Sequence, residues 1–246
     1  MPLDLAGATL VFDLDGTLVD TAPDLIGALN TVLGEEKLAP VPLAAARHLV
    51  GQGGRALLRR GFADSGREVD PADEDRLFQR FLDAYREHIA DESRPYPGVT
   101  EALEALSVAG ARLAVCTNKP GAYARLLLDA LGLAERFAAV VGADETPARK
   151  PDTRHLLHAI AGAGGDPTLA LMVGDSLPDV AAARGAGAPV VLVSFGYTET
   201  PAAELGADAV IDRFDQLEAT VERMLAPALS ARGASAIGRP PPGSDA

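Results

Sequence analysis

A chain of 246 residues is long enough for one large domain or two smaller ones, and its 48% apolar residues supply a core built mostly from Ala, Leu and Val, since aromatics make up 4% and Trp is absent. Thirty-five acidic residues against 22 basic ones give a formal charge of −13, a field that repels nucleic acid and anionic membrane surfaces and excludes both as bulk partners. A single cysteine excludes an internal disulfide framework; with no apolar run of the roughly 20 residues a membrane span needs and no basic secretory start, a cytoplasmic protein is expected.

The first apolar run, Ala8–Phe12, reads as a buried parallel strand. From about Val19 to Arg94 no strand pattern follows. Ala22–Leu33, Leu43–Leu49, Arg55–Phe62 and Asp73–Ile89 instead carry helical spacing, separated by turn signals at Gly34, Pro40, Gly51–Gly54 and Gly66. That is too long for one crossover, so residues 19–92 read as an inserted α-helical cap. Pro95 and Pro97-Gly98 mark the return. Strands then alternate with helices: Val99–Val108 helical, Arg112–Cys116 extended, Ala122–Leu131 helical, Ala138–Val141 extended, Thr153–Ala161 helical, Leu169–Val173 extended, Asp179–Gly185 helical, then strands at Val190–Val193 and Ala209–Ile211. The alternation predicts an α/β fold, a Rossmann-like parallel sheet with helices on both faces, made from residues 1–18 and 93–226. The segment 227–246, rich in Ala, Gly, Ser and Pro, reads as a disordered tail.

In such a sheet, ligands bind beyond the carboxyl ends of the strands, and the chemistry-bearing residues fall there. The first strand runs into Asp13-Leu14-Asp15-Gly16-Thr17. Carboxylates two residues apart project the same way from extended backbone, and Gly16 permits a sharp turn. Their repulsion calls for a cation, and Mg²⁺ takes hard oxygen ligands while leaving room for a phosphate. An N-cap aspartate followed by a turn aspartate would give the same letters. After Leu171-Met172-Val173 comes Gly174-Asp175-Ser176-Leu177-Pro178-Asp179, where Asp175 could reach the same metal and Asp179 could act from one helical turn away; a Ser or Asp N-cap also fits. Thr117-Asn118 closes another strand and offers a phosphate cradle or a plain turn; Lys150-Pro151 follows the next and offers a charge to neutralise phosphate or a solvated turn. Lysine is scarce: only Lys37, Lys119 and Lys150 occur, two of them just after apolar runs.

In the insert, Gly51-Gln52-Gly53-Gly54 allows backbone to approach a ligand closely, and Arg55 at a helix start could bind a substrate carboxylate or be a solvated helix arginine. His48, His88, His155 and His158 form no convincing metal set, with His155 and His158 expected at the surface. Cys116 reads as an inert core residue.

Asp13–Thr17, Thr117–Asn118, Lys150–Pro151 and Gly174–Asp179 together resemble the four motifs of the haloacid dehalogenase superfamily, over about Ala8–Val221, with the helical cap of one of its subgroups. An acid at Asp15 resembles its phosphatases and phosphomutases rather than its dehalogenases. FDLDGTLVDTAPDL, VGQGGRALL and TNKP look most like its phosphoglycolate phosphatases. The resemblance implies Asp13 as nucleophile through an aspartyl-phosphate and Asp15 as acid–base. It implies Mg²⁺ on the Asp13 side chain, the Asp15 carbonyl and the Asp175 side chain. Thr117, Asn118 and Lys150 would sit on the phosphoryl oxygens, and Ser176 and Asp179 would support them. Gly53 and Arg55 would set specificity for a small phosphorylated metabolite. Another small phosphate (a sugar phosphate, a nucleotide or pyrophosphate), a phosphomutase, or a non-catalytic binding protein on the same scaffold stay open as alternatives.

Overall fold

The computed structural model describes residues 4–237, the side chains of 45–48, 52 and 232–237 excepted. Strand β1 covers Thr9–Phe12 and is followed by a tight loop and β2 (Val19–Asp20). Four helices come next: α1 (Ala22–Glu35), α2 (Leu43–Ala46), α3 (Gly54–Asp64) and α4 (Glu74–Glu87), with a 3-10 segment over Arg47–Gln52. Then come β3 (Arg94–Pro95), α5 (Val99–Val108), β4 (Arg112–Cys116), α6 (Gly121–Ala130), β5 (Ala139–Val141), α7 (Thr153–Gly162), β6 (Ala170–Gly174), α8 (Leu177–Ala186), β7 (Val190–Val193), β8 (Ala209–Ile211) and α9 (Leu217–Ile237).

Six strands form one parallel sheet in the order β5-β4-β1-β6-β7-β8. The central strand β1 lies between β4 and β6, and Phe12 pairs with Val115 on one side and Val173 on the other. The ends of these three strands are therefore level, and connections leave β1 in opposite directions, which opens a crevice above it. Alternate β1 residues serve opposite faces: Leu10 and Phe12 join one core, with Leu103, Leu127 and Val221 of α5, α6 and α9, and Val11 joins the other, with Leu156 and Ile160 of α7 and Ala183 of α8. Burial on both faces is why these strands read as unbroken apolar runs.

The helical insert packs on itself as well as on the sheet. Helix α1 contacts α3 and α4. Gly61 lets Leu29 approach so closely that a Cβ there would lie 2.5 Å from the Leu29 side chain. Exposed arginines tie the outer surface together: Arg67 and Arg76 reach Glu36, and Arg80 reaches Glu35. Each such pair contributes little alone.

Two findings differ from the sequence reading. Between Val19 and Arg94 there is extended structure after all, at both edges of that stretch: Val19 pairs with Pro95 and Asp20 with Arg94 in a two-residue antiparallel ribbon, too short to leave a periodic pattern. Asp24 pins it from α1, accepting from Glu92 N, Ser93 N and Ser93 Oγ at 2.9, 2.7 and 2.6 Å. Second, α9 continues through Pro227 to Ile237, well into the segment read as a disordered tail, because that stretch is dense in alanine, the strongest helix former. Residues 238–246 lie outside the described residues.

Candidate active site

The level strand ends carry the floor of the site. Asp13 N donates to Val173 O (2.9 Å), extending the β1–β6 pairing by one residue and fixing where the side chain emerges. Asp13 Oδ1 accepts from Leu14 N (2.7 Å) and lies 2.9 Å from Lys150 Nζ. The same ammonium donates to Asp179 Oδ1 at 2.7 Å. Asp179 Oδ2 accepts from Asp175 N, Ser176 N and Ser176 Oγ at 3.2, 3.1 and 2.9 Å, closing the first turn of α8. The motif is thus an N-cap of α8, and the same carboxylate also reaches Lys150. Asp175 accepts from Tyr197 N (2.7 Å) and Thr17 Oγ1 (3.4 Å). Two glycines make room for it: a Cβ on Gly16, at φ +81°, would lie 2.6 Å from Asp175 Oδ2, and one on Gly196 would lie 2.2 Å from Asp175 Cβ.

Oxygens of Asp13, Asp175 and Asp179 come within 4.8 Å of one another. Three buried carboxylates against the one Lys150 ammonium leave two negative charges without a counter-charge. Burial pushes the Asp13 carboxyl up to about 6 against the pull of Lys150, with Asp179 and Asp15 adding to the rise. Burial, then the charges of Asp179 and Asp13, hold Asp175 well above the usual carboxylate range. A divalent cation fits this donor set and cancels this charge. Asp13 and Asp175 line the cavity and Asp179 does not, so Asp13 and Asp175 are the side chains best placed to hold it, with Asp179 orienting Lys150 and the Asp175 backbone.

Lys150 is buried and held by its neighbours. Its backbone N donates to His155 Nδ1 (3.2 Å), and its carbonyl accepts from Asn118 Nδ2 (3.0 Å). His155 is fully buried on α7, contrary to the surface position expected for it, because its ring fills the space under the Lys150 loop; burial and the Lys150 charge push its pKa down to about 4 and keep it neutral. His158 is exposed and His88 pairs with Asp91 at 2.7 Å, while the side chain of His48 lies outside the described residues. Thr117 is buried beside the cavity, and its Oγ1 accepts from Lys119 N (3.2 Å). Cys116 is buried in β4 with its thiol pushed up to about 12 by desolvation, as an inert core residue would be.

Asp15 turns toward the insert. Its Oδ1 accepts from Thr21 Oγ1 (2.6 Å) and Lys119 Nζ (2.7 Å). The Lys119 ammonium is only 5% exposed and sits 4.6 Å from the Tyr85 ring centre on α4. Tyr85 continues a row of aromatic rings with Phe81 and Phe78 on one side and Tyr123 on the other. Sequence reasoning gave no role to Thr21, Lys119, Tyr85 or Tyr197. The scarcity of lysine, with two placed just after apolar runs, and the run Thr117-Asn118-Lys119-Pro120 were the signals that could have found Lys119.

A cavity of about 410 Å³ lies between the strand ends and the insert, within the usual range for small-molecule sites. Asp13, Asp15, Thr117, Asn118, Lys150, Asp175 and Ser176 line its floor. Gly53, at φ +92°, and Arg55 line its roof. The Arg55 guanidinium is engaged there by Glu74 (3.2 Å) and Asp75 (2.8 Å) and stacks 4.3 Å over Phe78. Of the candidate site residues, Asp179 does not line this cavity and meets it through Lys150.

Residues 10–193 match the family model described as haloacid dehalogenase-like hydrolase. A phosphoglycolate phosphatase of Caulobacter vibrioides is 57% identical over 211 residues, covering 86% of this chain and 89% of that one. An N-acetylmuramic acid 6-phosphate phosphatase of Pseudomonas aeruginosa is 38% identical over 218 residues, covering 88% of this chain and 95% of that one. Among solved structures, one from Haemophilus somnus 129pt, given as a predicted phosphoglycolate phosphatase, superposes with a TM-score of 0.80 at 31% identity, covering 87% of this chain and 97% of that one. With the motif residues converging at the strand ends and a family match over most of the chain, this protein belongs to the haloacid dehalogenase-like hydrolases.

Proposed function

We propose that the protein is a Mg²⁺-dependent phosphatase that hydrolyses a small phosphomonoester, 2-phosphoglycolate first among them, through a phosphorylated Asp13. The observation that carries this reading is the pairing of Asp13 with Lys150 at 2.9 Å in a buried carboxylate cluster, at the floor of a cavity that also exposes Asp15. Asp13 and Asp175 would hold the ion with help from the Asp15 carbonyl, and the ion supplies positive charge that lets an anionic nucleophile meet an anionic phosphate.

Asp13 attacks phosphorus in line, and the ester oxygen leaves as Asp15 donates it a proton. Lys150 and Thr117 hold the phosphoryl oxygens as charge redistributes, with the Asn118 backbone beside them. Asp15 then takes a proton from the water that hydrolyses the acyl-phosphate, returning Asp13. Residues 19–92 act as a cap whose rings at Phe78, Phe81 and Tyr85 wall the cavity and exclude other water. Phosphoglycolate is favoured by the curated relative at 57% identity. A second reading, a sugar phosphate such as N-acetylmuramic acid 6-phosphate, is favoured by the size of the cavity, which exceeds what a two-carbon ester fills, and by the relative at 38% identity.

The deciding experiment is kcat/KM, by phosphate release, for 2-phosphoglycolate, N-acetylmuramic acid 6-phosphate, glucose 6-phosphate, AMP and pyrophosphate. The reading expects phosphoglycolate to lead, activity to vanish in EDTA, and Mg²⁺ to restore it. Phosphate transfer between sugar positions without release would instead make the protein a mutase.

A further inference from the structure

We propose that Lys119 binds the carboxylate of the substrate and is the residue that selects an ester bearing an anionic group one methylene from the ester oxygen. This rests on the phosphoglycolate reading and assigns its recognition element. An anion entering a protein of net charge −13 needs a dedicated cation, and five basic side chains line the cavity: Arg55, Arg59, Lys119, Arg149 and Lys150. Lys150 is bound to Asp13 and Asp179 on the phosphoryl side. Arg55 and Arg59 both reach Glu74 on the insert surface and are 45% and 59% exposed. Arg149 is exposed. Lys119 alone combines deep burial with a place beside the acid–base residue.

Its position matches the dimensions of the ligand. To protonate the leaving oxygen, Asp15 must come within about 3 Å of it. In phosphoglycolate the carboxylate oxygens lie only about 3 Å from that same oxygen, across one methylene. Lys119 Nζ stands 2.7 Å from Asp15 Oδ1, so it neighbours the same small volume. An ammonium carries three donors. One goes to Asp15 and one faces the Tyr85 ring, which leaves a third for the substrate. The ring and the burial remove competing water, which strengthens a charge-assisted bond.

The test compares 2-phosphoglycolate with 2-hydroxyethyl phosphate, the same ester with its carboxylate replaced by a hydroxymethyl group, in wild type, Lys119→Met and Lys119→Arg. Wild type should prefer phosphoglycolate, Lys119→Met should cut that preference in kcat/KM about 10- to 100-fold, and Lys119→Arg should retain part of it. Inhibition by 3-phosphonopropionate, a non-hydrolysable isostere, relative to propylphosphonate should follow the same order and reports binding without turnover. If Lys119→Met lowers both esters equally and leaves the inhibitor preference intact, Lys119 only steadies Asp15 and the assignment is wrong. A wild type with no preference between the esters overturns the phosphoglycolate reading as well. Should Lys119→Met fail to fold, the inhibitor preference of Lys119→Arg against wild type decides: an unchanged value counts against direct contact.

Discussion

Tyr197 and Asp175 are joined by a 2.7 Å hydrogen bond from the tyrosine backbone, while the hydroxyl of the same tyrosine accepts from Thr21 N (2.6 Å) and Ala22 N (2.9 Å) and donates to Asp20 (2.7 Å). A single side chain and backbone, at Tyr197 four positions beyond β7, therefore holds both a candidate metal ligand and the entry to α1. Tyr197→Phe keeps the first bond and strips the second set. Two buried N–H groups lose their acceptor, so the variant should be destabilised by about 1–3 kcal/mol in urea unfolding. The Mg²⁺ concentration for half-maximal activity should change less than kcat.

Asp13→Asn should abolish turnover and trapping of a phosphoenzyme, a loss of at least about 10⁴-fold in kcat. Near wild-type phosphate release by this variant rules out Asp13 as the nucleophile.

The same substitution has a stability signature with a definite sign. A carboxyl at about 6 in the folded protein and about 4 unfolded binds more protons when folded, so its contribution is lost as pH rises through that window. In EDTA, Asp13→Asn should melt higher than wild type at pH 7, and the gap should close towards pH 4. Mg²⁺ at pH 7 should raise the wild-type Tm more than that of the variant. A Tm difference that does not depend on pH contradicts the burial argument.

Asp15→Asn should lower kcat about 10²- to 10⁴-fold for an ester with a poor leaving group, and much less for the first step with para-nitrophenyl phosphate, whose leaving group needs no proton. A change confined to KM removes Asp15 from the acid–base role.

Gly16→Ala places a methyl group against Asp175 Oδ2 and the Tyr197 ring at a backbone angle that favours glycine. The side chain that must move belongs to Asp175, the proposed metal ligand. We expect at least a tenfold rise in the Mg²⁺ concentration for half-maximal activity, read by titration, and a fall in Tm.

How much of this was legible in sequence depended on whether a signal was local. Arg112–Cys116, Val190–Val193 and Ala209–Ile211 were delimited as strands to the residue, because each is written as a short apolar run, even the edge strand at Ala209–Ile211 where Val210 is exposed. Asp13, Thr117, Lys150 and Asp175 could be picked out because the fold puts chemistry at strand ends, and strand ends are visible. Lys119 bonds to Asp15 across 104 residues of chain and Tyr197 to Thr21 across 176, and no periodicity records such meetings. His155 was misplaced for a related reason: its i, i+3 partner His158 suggested a polar face, but the helix turns His155 inward with Leu156 and Ala159.

The two-residue ribbon of Val19–Asp20 with Arg94–Pro95 sets the exit and re-entry of the insert side by side. To the sheet, seventy-odd residues of insert are topologically a long hairpin loop, closed by this ribbon. The sheet can thus keep its register while the outer part of the insert is lengthened, shortened or exchanged, provided that Thr21, Asp24 and Tyr85 are kept. A chimera grafted between Asp20 and Arg94 is the way to give this hydrolytic base a new clientele.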